Sequence, residues 1–513
     1  MAKTFAAIDV GSYELSMKIF EVGRRMGLRQ IDHVIHGIDM GSETFNNGIL
    51  SFDRVEELCT VLKDFKKIMN GYRVDAYKAY GTSAIRESKN TAILIDLIEQ
   101  RTGIKIEVLS NSEQRFLDYK SVALQGEKFN RFIGQSTAIL DIGGGSIQLS
   151  LFDKDTLYAT QKMLLGVLRI QDRMRTLDAS YRQYEALVKE LSQSQLNTYK
   201  KLYLKDASIE NLILIDDHVA TLLNSNTDIF GGENTIDVEA ISSLVDKARH
   251  IGRTECAKYL SIPEDDVDLM YISLLILNEV LEITGANRIW APGVTLCDGM
   301  AFEYAEANGL IKSSHNFEED IKACVITMAK RYSSSRKRSQ TLEKISMAIF
   351  DAMKDIGGLT ERDRLLLQMA SYLHDCGKYI SMSNLAECSY NIIKNTEIIG
   401  ISHSERIIVA NVVRFNQEDF DYYEDFRDHE YIEAIDHMKI AKLTAILRVA
   451  NGLDRSHKMK FQDIRVKING DELLIFAETD EDITLEKGLF GVRGAFFKEI
   501  YNLKPLIIQK RSF

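Results

Sequence analysis

The stretch AILDIGGGSIQLSLF, residues 138–152, joins two apolar runs through three consecutive glycines. Alternation of apolar and polar residues predicts a β-strand on each side, and glycine lets backbone N–H groups approach a ligand closely. The stretch AAIDVGSYELSMKIF, residues 6–20, repeats the same order of apolar strand, Asp, Gly, small residue and second strand. The sequence therefore predicts two related lobes that face each other across a cleft, each beginning with a glycine-tipped β-hairpin.

The composition limits the class of protein. The chain has 513 residues, of which 45% are hydrophobic, a formal net charge of -11 and six cysteines. This length favours several domains. The acidic charge argues against binding nucleic acid through bulk charge, and cysteines without a CxxC pair argue against a disulfide framework or a structural zinc cluster.

The chain also lacks obvious membrane and export signals. Its first residues do not form a signal-peptide pattern. The most apolar run, LMYISLLILNEVLEI, contains charged residues that interrupt it before it reaches membrane-spanning length. We therefore expect a cytoplasmic protein with neither a nucleic acid nor a membrane as partner.

Four segments differ in their hydrophobic periodicity. Strand and helix patterns alternate over residues 1–130 and again over 131–306, which predicts two α/β lobes. Residues 307–460 show helical patterns, and residues 461–513 contain an Asn469-Gly470 turn signal between alternating runs. The predicted fold is α/β in two lobes around a cleft, followed by an all-α domain and a small α+β tail.

The glycine turns favour phosphate as a ligand over a dinucleotide, because the glycines of the dinucleotide fingerprint lead into a helix and these lead into a strand. One such turn alone is equally compatible with a hairpin that binds nothing. A third stretch, GTSAIRES (81–88), adds hydroxyls and Arg86, whose planar fork suits phosphate. A fourth, LSNSE (109–113), places Glu113 after another strand. Taken singly, Arg86 and Glu113 are also typical of solvated helix ends.

Six motifs occur in an order that resembles the Ppx/GppA phosphatase family, the exopolyphosphatases and guanosine pentaphosphate phosphohydrolases. They are IDVGS, GTSAIRES, LSNSE, DIGGGS, LLGVLR (164–169) and APGVTLCDG (291–299). The resemblance implies two actin-like, ribonuclease H-like lobes and an HD-like helical domain. It also implies hydrolysis of the terminal phosphoanhydride of inorganic polyphosphate or pppGpp, in a protein that forms a homodimer.

The resemblance further implies roles for single residues. Glu113 is expected to activate water as the general base. Asp141, with Asp9 beside the first turn, is expected to hold Mg²⁺ or Mn²⁺, hard cations that prefer oxygen ligands. The expected phosphate-binding residues are Gly11, Ser12, Ser83, Arg86, Gly143, Gly144, Gly145 and Ser146.

The sequence departs from the family pattern at several positions. Gln148 stands where the family has Glu, and an amide brings no negative charge to a metal site. Asp216-Asp217-His218 replaces a glycine-threonine phosphate loop, and two carboxylates would repel polyphosphate. Cys297 replaces an Arg, while Tyr13 and Glu14 replace small polar residues. A second hypothesis is therefore a polyphosphate- or nucleotide-binding regulatory protein with weakened catalysis.

The helical domain carries an incomplete metal-binding pattern. His374, Asp375 and Asp454 resemble HD-superfamily ligands, but Arg338 stands where an upstream His is expected. We expect these residues to pair within the helical core. An HD-type metal phosphohydrolase and a sugar kinase are the two weaker hypotheses, the latter because no sugar-binding signature is present. The basic run KRYSSSRKR (330–338) is interpreted as a solvated face, or as a guide for a long anion.

Overall fold

The computed structural model describes residues 3–223, 234–313, 315–427, 433–461 and 463–510. The chain divides into two compact units, Met1–Asn316 and Phe317–Phe513. The first unit contains a five-stranded and a six-stranded sheet, and the second contains a bundle of helices with a three-stranded sheet. The predicted architecture of two actin-like α/β lobes, a helical domain and an α+β tail is confirmed.

The first lobe is built on a sheet with strand order β3-β2-β1-β4-β5. Its elements are β1 (Lys3–Val10), β2 (Glu14–Gly23), β3 (Gly27–Gly37), α1 (Met40–Asn47), α2 (Phe52–Gly71), β4 (Ala76–Gly81), α3 (Ser83–Glu87), α4 (Thr91–Thr102), β5 (Glu107–Val108), α5 (Asn111–Ala123) and α6 (Glu127–Ile133). Strand β1 pairs antiparallel with β2 and parallel with β4. The hairpin turn after β1 and the residues after β4 therefore lie at the same edge of the sheet.

The second lobe repeats this arrangement in a sheet with strand order β10-β11-β9-β6-β7-β8. Its elements are β6 (Thr137–Ile142), β7 (Ile147–Asp153), β8 (Thr156–Met163), α7 (Val167–Thr176), α8 (Tyr184–Tyr199), β9 (Asn211–Asp216), α9 (Asp217–Leu223), β10 (Thr235–Ile236), α10 (Val238–Ile251), α11 (Arg253–Leu260), α12 (Val267–Thr284), β11 (Arg288–Trp290) and α13 (Leu296–Ala307). Strand β6 pairs antiparallel with β7 and parallel with β9. The two lobes thus share one hairpin-plus-parallel-strand unit, as the repeated sequence pattern predicts.

Helix α12 accounts for the most apolar run of the sequence. Most of its side chains are buried in the core of the second lobe. A helix that is apolar on nearly every side is typical of a core helix. In the described part of the chain, no helix combines the length and the hydropathy needed to span a bilayer.

Helix α13 packs on the first lobe, although it follows the second lobe in sequence. It contacts α5, β1 and β2, and Tyr304 stacks on Phe5 with the ring centroids 4.2 Å apart. A Cβ added at Gly299 would lie 2.0 Å from the carbonyl oxygen of Leu117. The predicted second lobe, 131–306, therefore contains a helix that packs on the first lobe. The sequence could not predict this packing, because helical periodicity does not indicate which sheet a helix covers.

The second unit begins with helices and ends with the small sheet. The helices are α14 (Phe317–Arg331), α15 (Arg336–Gly357), α16 (Glu361–Leu373), α17 (Leu385–Asn395), α18 (His403–Phe415), α19 (Tyr423–Arg427) and α20 (Ala434–Leu453). The tail comprises β12 (Asp463–Asn469), β13 (Glu472–Glu478), α21 (Thr484–Tyr501) and β14 (Lys504–Lys510). Strands β12 and β13 form an antiparallel hairpin at the predicted Asn469-Gly470 turn. Residues 462 and 511–513 of the predicted tail lie outside the described residues.

Candidate functional site

A cavity of about 120 Å³ lies between the two hairpin turns of the first unit. Its wall is formed by the first turn (11–14), the residues after β4, the start of α5, the second turn (142–144) and the start of α9. The cavity is large enough for several water molecules or a small anion. We refer to it as the interlobe cleft.

The two turns are closed by matching hydrogen bonds. In the first turn, the N–H of Gly11 donates to the carbonyl oxygen of Glu14 at 3.0 Å, and in the second, the N–H of Gly143 donates to the carbonyl oxygen of Ser146 at 3.0 Å. A Cβ added at Gly144 would lie 3.3 Å from the Cβ of Ser12. The lobes thus approach each other through backbone at this point, and only small residues fit.

Ser83 completes this meeting point from the end of β4. A Cβ added at Gly145 would lie 3.1 Å from the Cβ of Ser83. Ser12 is fixed because its hydroxyl oxygen accepts a hydrogen bond from the N–H of Ala84 at 3.1 Å. Five of the predicted phosphate-binding residues therefore converge on the cleft wall, namely Gly11, Ser12, Ser83, Gly143 and Gly144.

Arg86 lies behind this wall. Its guanidinium donates to the carbonyl oxygen of Leu109 at 2.8 Å, to Oε1 of Gln114 at 3.3 Å and to the hydroxyl of Ser83 at 3.2 Å. Ser83 and Gln114 both line the cleft. Arg86 therefore positions two cleft residues through hydrogen bonds.

Gly145 and Ser146 complete the second turn, which runs from Gly143 to Ser146. The carbonyl oxygen of Gly145 accepts a hydrogen bond from Nε of Arg169 at 2.7 Å. The carbonyl oxygen of Ser146 accepts one from Nη2 of Arg115 at 3.2 Å. Both predicted residues are thus tied to arginines that hold the turn in place.

Glu113 caps a helix. The N–H of Ser110 donates to Oε2 of Glu113 at 2.9 Å, and the N–H of Glu113 donates to the hydroxyl of Ser110 at 3.3 Å. This reciprocal pair is a capping box at the start of α5. Glu113 as general base stays a prediction: its carboxylate closes the capping box in this structure, and the next residue, Gln114, lines the cleft. The S-x-x-E pattern of residues 110–113 is the signal that could have indicated this role.

We expect Glu113→Gln to change kcat/KM for phosphate release by less than about threefold. Glutamine also closes a capping box, so the main effect is loss of a negative charge at a helix N-terminus, worth roughly 0.5 kcal/mol of stability. Steady-state kinetics and urea unfolding measure the two quantities. A 100-fold loss of kcat in a folded variant would contradict this expectation and support Glu113 as the base.

Asp141 pairs with a buried arginine. Its Oδ1 forms an ion pair with Nη1 of Arg115, whose side chain is only 3% exposed. Gln148, opposite Asp141 in the hairpin, accepts a hydrogen bond from Asn111 at 3.3 Å and donates one to Thr160 at 2.9 Å. A divalent cation bound to Asp141 would therefore lie beside a guanidinium, and the two positive charges would repel each other.

With this pairing, the surroundings of Asp141 do not favour Mg²⁺ or Mn²⁺, and the assignment of Asp141 as a metal ligand stays a prediction. Among the residues that the structure describes, no group of three or more His, Cys, Asp or Glu side chains is arranged to hold a metal ion. Asp9, the other predicted ligand, lines the cleft. Its Oδ1 is buried and has no hydrogen-bond partner in the described part of the chain.

Two carboxyl groups of the cleft hold their protons unusually tightly. Burial, and then the charge of Asp217, raises the pKa of Asp9 to about 8. Burial, followed by the charges of Asp217, Asp9 and Asp266, raises the pKa of Glu14 to about 8. With these pKa values, Asp9 and Glu14 are largely neutral at pH 7 and can donate hydrogen bonds to an anion. His218 also lines the cleft, and burial lowers the pKa of its imidazole.

Binding of an anion should weaken as the pH rises through 8. Below this pH the two carboxyl groups are neutral; above it they ionise and repel the ligand. If binding requires one of these protons, the Kd for tripolyphosphate rises roughly tenfold between pH 7 and pH 9. Calorimetric titration measures this change. Glu14→Gln is the control, since the ligand titrates identically in both experiments, and an equally steep pH dependence in that variant would exclude Glu14 as its source.

Tyr13, from the first turn, and Asp217, from the start of α9, also line the cleft. The hydroxyl of Tyr13 donates to Oδ1 of Asp266 at 2.6 Å and so connects the first turn to the start of α12. Asp216 faces away, since its Oδ1 accepts hydrogen bonds from the N–H groups of His218 and Val219 at 2.8 and 3.0 Å. Of the two carboxylates expected to repel polyphosphate, only Asp217 lines the cleft.

Cys297 lies behind the first turn. It is buried, and its Sγ lies 3.5 Å from the carbonyl oxygen of Ala7 in β1. Burial raises the pKa of its thiol. The residue that replaces the family's Arg is thus a packing residue against the β1–β2 hairpin.

The predicted HD-like residues of the second unit meet around Arg338. Its Nη1 lies 3.6 Å from Oδ2 of Asp375, its Nε lies 3.5 Å from Oδ2 of Asp454, and its Nη2 donates to Asn451 at 3.0 Å. Nε2 of His374 lies 3.6 Å from Oδ2 of Asp375, and burial lowers the pKa of His374 to about 4. A guanidinium thus occupies the centre of this cluster, and Arg338, the last residue of the basic run 330–338, is buried.

The fold and the paired glycine turns define an actin-like, two-lobed α/β protein. The chain belongs to the Ppx/GppA phosphatase family, because the sequence model of that family matches residues 21–307. The model described as Ppx/GppA phosphatase, domain III, matches residues 322–487.

The chain is also similar, at low sequence identity, to several known proteins. A bifunctional 3-dehydroquinate synthase/phosphatase of Fusobacterium nucleatum is 25% identical over 174 residues, which are 33% of this chain and 26% of that protein. A guanosine-5'-triphosphate,3'-diphosphate pyrophosphatase of Vibrio vulnificus is 20% identical over 81% of this chain and 80% of its own length. The crystal structure of a Ppx/GppA family member from Aquifex aeolicus superposes with a TM-score of 0.50 at 20% identity, over 60% of this chain and 99% of that chain.

Proposed function

We propose that the interlobe cleft binds the terminal phosphoryl group of inorganic polyphosphate or of a guanosine polyphosphate such as pppGpp, and that the chain hydrolyses the anhydride behind it. The observation that carries this proposal is the meeting of two glycine turns, one from each lobe, with the hydroxyls of Ser12 and Ser83 between them. Backbone N–H groups in tight turns form concave sites for anions. The name of the Vibrio relative gives the guanosine branch its support.

The proposed chemistry depends on positioning. Phosphoryl transfer passes through a loose transition state, so orienting the water and surrounding the phosphoryl oxygens with donors supply most of the catalysis. Gln114 lines the cleft beside Arg86, and an amide can orient an attacking water as glutamine does in some GTPases. The protons of Asp9 and Glu14 would add hydrogen bonds to the phosphoryl oxygens.

The second candidate function is a binding protein with little turnover. It is favoured by the amides of Gln114, which lines the cleft, and of Gln148 on the second hairpin, and by the pairing of Asp141 with Arg115. An amide does not act as a general base. The predicted homodimer stays a prediction under both proposals, and light scattering during size-exclusion chromatography checks it.

Phosphate release from long-chain polyphosphate and from pppGpp distinguishes the two functions. We expect turnover of at least one substrate, and roughly a tenfold loss of kcat/KM in Ser83→Ala, since a hydrogen bond to a charged group contributes about 1.5–3 kcal/mol. Ser194→Ala, on the exposed side of α8, is the matched control. Tight binding without release would favour the binding protein, and the absence of both would contradict both proposals.

A further inference from the structure

We infer that Arg115 takes the place of a divalent cation at Asp141, so that the positive charge under the second turn belongs to the protein itself. The inference deepens the proposed function, on which it rests for the position of the ligand. It differs from the expectation that the family resemblance raised, in which Asp141 binds Mg²⁺ or Mn²⁺.

The guanidinium is placed as a bound cation would be. Nη1 of Arg115 pairs with Asp141 at the end of β6 and lies 3.6 Å from Oδ2 of Asp118. Nη2 donates to the carbonyl oxygen of Ser146 at 3.2 Å. One group thus draws together two carboxyl side chains and a backbone oxygen, the ligand types that a hard cation prefers.

Arg115 already supplies a positive charge to this buried place. Its guanidinium pairs with Asp141 and lies 3.6 Å from Asp118, and the side chains of Arg115, Asp141 and Asp118 are 3%, 9% and 6% exposed. A divalent cation added here would leave an excess of positive charge in a buried place, which is costly.

Arg115 also reaches the ligand side of the turn. A Cβ added at Gly143 would lie 3.1 Å from Nη2 of Arg115, and Arg115 itself forms part of the cleft wall. Its Nε is buried without a hydrogen-bond partner among the described residues. The same guanidinium that neutralises Asp141 therefore presents positive charge to a phosphoryl group held by the second turn.

Binding of Mn²⁺ alone, followed by electron paramagnetic resonance of the free ion, tests this inference without any substrate. We expect the full-length wild type and Asp141→Asn to bind the same number of Mn²⁺ ions. We expect Arg115→Ala, which frees Asp141 and Asp118, to bind one more ion than the wild type, and Arg115→Ala/Asp141→Asn to lose that ion again.

A Mn²⁺ site in the wild type that disappears in Asp141→Asn would overturn the inference, and this pair decides the matter even if Arg115→Ala does not fold. A folded Arg115→Ala that gains no ion would overturn it as well. The proposed function is tested by different experiments. It fails if the chain neither releases phosphate nor binds the anion, and the Mn²⁺ titration measures neither of these.

Discussion

Replacing Gly166 by alanine is expected to lower kcat/KM for phosphate release by about 100-fold or more, since a displacement of 1 Å in a catalytic site has that effect. A Cβ at this position would lie 2.3 Å from the carbonyl oxygen of Gly144, from the carbonyl carbon of Gly145 and from the N of Ser146. All three atoms belong to backbone, so a flexible side chain cannot relieve the overlap. The second turn must move, and with it the N–H groups that are proposed to bind the phosphoryl oxygens.

Gly71→Ala is the matched control for this variant. Gly71 ends helix α2, and an added Cβ there meets no atom within 4 Å. Circular dichroism establishes that Gly166→Ala is folded, and calorimetry with tripolyphosphate measures its Kd. Unchanged kcat/KM and Kd in a folded Gly166→Ala would show that the second turn does not hold the phosphoryl group.

The second large effect is a gain. Gln114→Glu is expected to raise kcat by roughly 100-fold, because a carboxylate in reach of the attacking water can accept its proton and general-base catalysis contributes at least that factor. Gln114 lines the cleft, and Arg86, which donates to its Oε1 at 3.3 Å, would hold the new carboxylate in the same orientation. Phosphate release as a function of pH is the measurement, and the variant should show a new decline on the acidic side as the introduced carboxylate becomes protonated.

Gln114→Ala separates this effect from a loss of bulk. It removes the water-orienting amide and is expected to reduce kcat below that of the wild type. Equal rates for Gln114→Glu and Gln114→Ala would mean that residue 114 does not contact the attacking water, and the search for that contact would turn to Asp9 and Glu14, the carboxyl groups of the cleft.

The fold was predictable because its decisive signals are local. Apolar alternation around the glycines of residues 6–20 and 138–152 gives two hairpins, and each lobe builds its sheet on one of them. The return of α13 to the first lobe was missed. That contact depends on Gly299 lying against Leu117, a tertiary fit between distant residues that leaves no periodic signal.

The positions of the backbone turns at the cleft could be predicted from the sequence more fully than the positions of its side chains. The glycine turns lie at the cleft because hairpin geometry places them there. Glu113 and Gln114 are neighbours in sequence, but consecutive residues on a helix point about 100° apart, since a turn takes 3.6 residues. The capping box holds the Glu113 side chain at the N-terminus of α5, and Gln114, which points in a different direction, lines the cleft. Arg115 was missed because its ion pair with Asp141 joins α5 to β6 across the fold.

The most direct test of the account is a crystal structure of the wild-type chain with tripolyphosphate. The account predicts the terminal phosphorus between the two glycine turns, within hydrogen-bonding reach of Ser12, Ser83 and the backbone of Gly144, with Arg115 still paired to Asp141. Tripolyphosphate ordered elsewhere, for example on the basic run 330–338, with the interlobe cleft lacking phosphate, would contradict it.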